Sequence, residues 1–169
     1  MPGCPERPDP DPTPRTDDHL THTAYLSVGS NVGHKAANCR AGIRALGDHP
    51  QVALRACSRF YRTAPVDYTD QDWFVNAAVR VATDLPPEAL LDWLLAVEKA
   101  AGRDRRGVRF GPRILDLDII FYDRLVLQTP RLTLPHPRMH NRRFVLQPIC
   151  DMDPLLEHPV LRVPLQALL

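Results

Sequence analysis

Two carboxylates one residue apart, Asp116 and Asp118, are the groups in this chain best placed to do chemistry. Side chains alternate along an extended segment, so both acids share one face while Leu115, Leu117, Ile119 and Phe121 share the other. The segment is anchored on its apolar side and acidic on the opposite one. Like charges about 6 to 7 Å apart repel by roughly 2 to 3 kcal/mol at an effective dielectric near 20, so something should compensate them. Mg2+ does so with one or two carboxylates, keeping water and phosphate oxygens as its other ligands. Taken alone, the pair reads more readily as a solvated strand edge whose charge discourages further pairing.

The neighbouring arginines change that balance. Arg103, Arg105 and Arg113 precede the acids, Arg131 and Arg142 follow them, and residues 103–143 hold ten Arg and no Lys against four Asp. Guanidinium forks beside metal carboxylates suit a polyphosphate, whose charge is spread over many oxygens. The chain prefers Arg to Lys throughout, so Arg7, Arg15, Arg55 and Arg80 are assigned to that compositional bias. His136 lies between Pro135 and Pro137, which fix its backbone; it is a phosphate donor or an ordinary loop histidine. Phe74 and Phe144 lie close in sequence to the polar Asn76 and Arg142. Flat rings with a few directed donors suit a planar heterocycle, although such rings also serve as plain core.

These residues need a frame. Ala24, Leu26 and Val28 alternate as in a half-buried strand, and Gly29, Ser30 and Asn31 break the pattern. Residues 34–46 place Ala36, Cys39, Ile43 and Leu46 at helical spacing. Strands are expected over about 52–62 and 74–82, then a helix over 88–101 introduced by Pro86 and Pro87 and ended by Gly102. Residues 114–121 read as a buried strand, with strand-like pieces near 125–127 and 132–134 and a short helix over about 137–146. The order β, α, β, β, α, β suggests an α+β fold of the ferredoxin-like kind, a mostly antiparallel sheet with helices on one face. Connections over 63–73 and 103–113 exceed the usual four to six residues, as binding loops do.

A chain of 169 residues with 44% hydrophobic content fits one domain with a real core. The formal net charge of +1 gives no general reason to bind nucleic acid or an anionic membrane. Four cysteines without a metal-site spacing, and no apolar leader or spanning segment, suggest a cytoplasmic protein with free thiols. Six prolines in the first fourteen residues set off a Pro-rich tail over 1–20, expected to be disordered, from a catalytic domain over 21–169.

Five separated motifs occur in order: GSN at 29–31, FYRTAPV at 60–66, FVNAAV at 74–79, GRDRRGVRFGPRILDLDII at 102–120 and RLTLPHPRMHNRRFVLQPI at 131–149. Together they resemble the 6-hydroxymethyl-7,8-dihydropterin pyrophosphokinases of folate synthesis, over residues 23 to about 155. The resemblance implies transfer of a pyrophosphoryl group from ATP to the hydroxymethyl of the reduced pterin, with release of AMP, by a monomer acting on small molecules. It assigns two Mg2+ to Asp116 and Asp118, with Arg103 and Arg113 beside them as catalytic residues. ATP contacts fall to Glu98, Arg103, Arg105, Arg113, Ile119, Arg131, Thr133, His136 and Arg142. Pterin contacts fall to Thr63, Val66, Phe74, Asn76, Phe110 and Phe144. Ala64 stands where proline is frequent in the family, and Phe110 where tryptophan is. Two other classes stay open: a nucleotidyltransferase sharing the acid pair would release pyrophosphate, and a single-stranded RNA-binding module would not need Asp116.

Overall fold

The protein is described by a computed structural model over residues 19–103, 109 and 111–169. The expected tail lies outside the described residues except for its last two. The elements are β1 (His22–Ser30), α1 (Lys35–Leu46), β2 (Val52–Cys57), β3 (Tyr61–Thr63), β4 (Phe74–Thr83), α2 (Pro87–Ala100), β5 (Asp116–Tyr122), β6 (Leu127–Gln128), β7 (Thr133–Leu134) and α3 (Arg143–Met152). The main sheet runs β2-β4-β1-β5, with β3 also on β4, and each of its pairings is antiparallel. This is the α+β, ferredoxin-like sheet that the element order suggests.

The second expected strand is interrupted. At Ser58 the chain leaves the ladder, yet the Ser58 N–H donates to the Ala78 carbonyl (2.9 Å) and the Ser58 hydroxyl accepts from the Ala78 N–H (2.9 Å). The jog therefore leaves no backbone group of Ala78 unpaired, and it re-aims Tyr61–Thr63 along the far half of β4.

Alternation builds two cores. On one side Ala24, Leu26, Val28, Val79, Val81, Leu117 and Ile119 meet Cys39, Ile43 and Leu46 of α1 and Leu90, Leu94 and Val97 of α2. The α2 residues recur at helical spacing, and each buried leucine contributes about 1.5–3 kcal/mol. On the other side Tyr25, Ala78, Ile120 and Phe121 meet Val145, Leu146 and Ile149 of α3. Helices are therefore not confined to one face: α1 and α2 cover one, and α3 covers part of the second. The uncovered part of that second face becomes a cleft.

Two local expectations need correction. Phe121 does not share a face with Leu117 and Ile119. The register moves from Tyr25↔Phe121 to Leu26↔Ile119, so Ile120 has no opposite residue and Phe121 turns to the α3 side. The helix expected over 137–146 is a 3-10 turn at Met139–Asn141 followed by α3, which continues through Pro148. Proline in the sixth position removes a single intrahelical bond, to the Phe144 carbonyl, and the buried face of Val145, Leu146 and Ile149 outweighs that loss.

Candidate active site

The cleft has a volume of about 320 Å3 and opens where Gly29 of β1, Asn76 of β4 and Asp116 of β5 stand side by side. Its floor is the sheet. Side chains of one pleat phase, Asn76, Asp116, Asp118 and Ile120, rise from it, and Thr63, Val66, Asp67, Phe74, His136, Arg138, Arg142 and Phe144 form the walls.

At the acidic end, Arg103 Nη1 donates to Asp116 Oδ1 (2.5 Å), and Arg113 pairs with the other oxygen. Arg103 also pairs with Glu98 Oε1 at 2.6 Å. Glu98 is 1% exposed, and its carboxylate accepts the Leu117 N–H at 2.8 Å, so α2 clamps the start of β5 and one arginine together. Among the described residues three carboxylates (Glu98, Asp116, Asp118) face Arg103 and Arg113, and the Asp118 carboxylate accepts no hydrogen bond from a described residue. Burial, then Asp116 and Glu98 nearby, push its carboxyl well above the ordinary carboxylate range, and the two arginines only partly offset this. A half-buried carboxylate held up in this way, beside a second one, is a donor set that a hard dication suits. Among the described residues no group of three or more His, Cys, Asp or Glu is arranged to hold an ion.

His136 marks the opposite wall. Its backbone N–H donates to the Ile120 carbonyl (3.0 Å), tying it to β5, and its Nδ1 accepts the Arg138 N–H (3.2 Å). Burial and the nearby Arg142 and Arg138 charges depress its pKa to about 4, so the ring is neutral at pH 7. With Nδ1 accepting, the proton sits on Nε2, which makes that atom a donor.

At the aromatic end Phe74 and Phe144 line the cleft, and the Arg142 guanidinium lies 5.6 Å from the Phe144 ring centre. Asn76 is 4% exposed, and its amide donates to the Thr63 hydroxyl at 2.6 Å. That fixes which way the amide points and aims its oxygen over Gly29, where an added Cβ would lie 2.8 Å from it. Glycine at 29 is what seats this amide.

Of the expected site residues, the cleft gathers Thr63, Val66, Phe74, Asn76, Arg103, Arg113, Asp116, Asp118, His136, Arg142 and Phe144. Arg105 and Phe110 lie outside the described residues. Four further residues expected at the nucleotide, Glu98, Ile119, Arg131 and Thr133, stand outside the lining of this cleft. Ile119 is 2% exposed and packs against α1 and α2, on the face opposite the two acids, because of strand alternation. Glu98 is buried beneath Arg103, with which it pairs. Arg131 turns to Asp92 and Glu88 on α2, and Thr133 belongs to the β6–β7 hairpin; neither lines the cleft. Sequence reasoning missed Asp67 and Arg138, which line the mouth, and Asn31. The Asn31 side chain donates to Gln71 Oε1 (2.9 Å) and the Asp72 carbonyl (3.2 Å) and accepts the Arg113 N–H (2.7 Å), joining the bases of both long connections. The GSN break was the available signal, but it carries no long-range partner.

Residues 25–154 match the family model described as 7,8-dihydro-6-hydroxymethylpterin-pyrophosphokinase. A 2-amino-4-hydroxy-6-hydroxymethyldihydropteridine pyrophosphokinase of Methylorubrum extorquens is 44% identical over 131 residues, covering 78% of this chain and 82% of the relative. The bifunctional protein FolKE of Lactococcus lactis is 44% identical over 130 residues, which cover 77% of this chain but only 37% of that longer protein. A crystal structure of Plasmodium falciparum HPPK-DHPS shares the fold with a TM-score of 0.70 at 16% identity, covering 91% of this chain and 46% of that one.

Proposed function

The chain belongs to the 7,8-dihydro-6-hydroxymethylpterin-pyrophosphokinase family, and from that premise we propose how its cleft carries out pyrophosphoryl transfer from ATP to the hydroxymethyl of the dihydropterin. The observation that carries this reading is one cleft holding an aromatic, amide-bearing end and an acidic, arginine-rich end within a single pleat phase of the sheet.

Phe74 and Phe144 sandwich the pterin, and the Asn76 oxygen reads an N–H on its edge. Thr63 holds that amide in register. Arg103, Arg113 and Arg142 take phosphate oxygens, and the neutral His136 donates from Nε2 to another. The pterin hydroxyl oxygen attacks the β-phosphorus, its proton passing to solvent, while the bond from that phosphorus to the oxygen bridging to the α-phosphate breaks and AMP leaves. Asp116 and Asp118 would hold Mg2+, two ions in our reading, which supplies positive charge to the β-phosphoryl and the departing AMP. Arg103 and Arg113 then exchange carboxylate partners for phosphates. Acceleration rests on positioning and fixed charge, since no cleft residue among those described is placed as a strong base beside the hydroxyl. We place the protein in the cytoplasm as a monomer acting on small molecules and on neither nucleic acid nor membrane. No helix among the described residues is long and apolar enough to cross a bilayer.

Product analysis tests the proposal. With ATP, Mg2+ and hydroxymethyl dihydropterin, AMP should form only when pterin is present, and a chelator should abolish it. Release of pyrophosphate would favour nucleotidyl transfer, and turnover undiminished by the chelator would remove Mg2+ from the account.

A further inference from the structure

Asp67 sits at the mouth of the cleft in the connection between β3 and β4 and belongs to none of the roles above. Its carboxylate faces two guanidiniums, Arg142 at 3.3 Å and Arg138 at 3.5 Å. Both reach across from the segment that leads into α3, so the pairing straps one wall of the cleft to the other. The backbone at Asp67 is strained to make this contact: φ is 69°, and the Tyr68 N–H donates to the Val66 carbonyl two residues back (2.9 Å). That is a tight three-residue turn which residues with a Cβ rarely adopt.

We propose that Asp67 is an internal stand-in for substrate phosphate, a latch that a polyphosphate must displace from Arg138 and Arg142 on entering the cleft. This rests on the nucleotide reading of Arg142. The pairing suits displacement. Asp67 and Arg138 are 40% and 44% exposed, so their attraction is screened, and one carboxylate divides itself between two cations. A triphosphate brings several charged oxygens and wins the exchange. Once released, Asp67 no longer holds the strained turn, and the wall made by Thr63 and Val66 can close on the second substrate. The same connection is tied through Gln71 and Asp72 to Asn31, and through Asn31 to Arg113, so its movement is felt at the acidic end as well.

Calorimetry with inorganic tripolyphosphate, and separately with a nonhydrolysable ATP analogue and Mg2+, measures the competition, and amide hydrogen exchange over residues 64–70 measures the latch. Asp67→Asn keeps the size and removes the charge; Asp67→Gly also relieves the turn. Both variants should bind each probe roughly three- to tenfold more tightly than wild type, the effect of losing a half-exposed competitor. Tripolyphosphate should accelerate exchange over 64–70 in wild type, whereas Asp67→Asn should exchange fast already and not respond. Unchanged or weaker binding by Asp67→Asn, tightening by the glycine variant alone, wild-type exchange indifferent to saturating tripolyphosphate, or no tripolyphosphate binding at all would each overturn the proposal. Neither measurement uses pterin, so failure of the pterin reaction would be seen separately.

Discussion

At the scale of single residues, the raised carboxyl of Asp118 makes the sharpest predictions. Its folded pKa is raised above the unfolded value, so the stability linked to this group is fully present below the unfolded value and is lost as pH rises through the folded one. In chelator, Asp118→Asn should therefore melt at a higher temperature than wild type at pH 8, and the gap should shrink toward pH 4. Saturating Mg2+ should close or reverse that gap at pH 8, while turnover of the variant falls by orders of magnitude. His136 has the opposite linkage. Its depressed pKa, about 4, means that its contribution is present above about 6.5 and is lost as pH falls. Urea melts should show wild type losing about 2 to 3 kcal/mol relative to His136→Gln between pH 6.5 and 4, and no change between them above pH 7. The pairing of acids on one face was legible in the sequence, because a period of two needs no tertiary knowledge. The third carboxylate was not legible as a clamp: Glu98 lies 18 positions before Asp116, and only the packing of α2 under β5 shows what it holds.

At the scale of elements, α2 does more than fill the core. Its last turn carries Glu98, whose single side chain satisfies the Leu117 N–H and Arg103 at once. Glu98→Ala would leave that N–H buried and unpaired, a cost of about 1–3 kcal/mol, and should raise the KM for ATP about tenfold as Arg103 loses its rest. Glu98→Gln keeps an acceptor for the amide, so it should recover most of the stability but not the KM. Denaturant curves with steady-state kinetics on both variants separate the two effects. Element order was readable because helical and strand periods differ so strongly over 34–46, 88–101 and 114–121. What escaped was governed by single interruptions. The jog at Ser58 split one expected strand, and the bulge at Ile120 sent Phe121 to the other face; each depends on what lies opposite, which no local pattern contains. A motif position gives neither the face on which a side chain emerges nor the acid it will meet.

At the scale of the whole molecule, the site exists because the sheet is covered unevenly. Helices α1 and α2 cover one face, α3 buries part of the other, and the cleft occupies what remains beside α3. Truncating Ile149, fully buried against this second face, should cost about 2–5 kcal/mol in a denaturant melt and loosen the wall bearing Arg142 and Phe144. Substrate affinity should then fall more than for an equally destabilising change under α1, such as Leu46→Ala, compared at a temperature where both variants stay folded. The proposed catalytic domain begins near residue 21, and a chain starting at His19 should keep its turnover to within about twofold of the full chain, a change too small to matter on the scale of a catalytic contribution.

The central claim, that the acids and arginines of this cleft direct attack at the β-phosphorus, is tested most directly by following ATP labelled at that atom. With Mg2+ and hydroxymethyl dihydropterin, the label should appear on the pterin as a diphosphate ester in step with unlabelled AMP, and Asp118→Asn should show neither. Label recovered in ADP or in free pyrophosphate, or AMP formed without pterin, would contradict it.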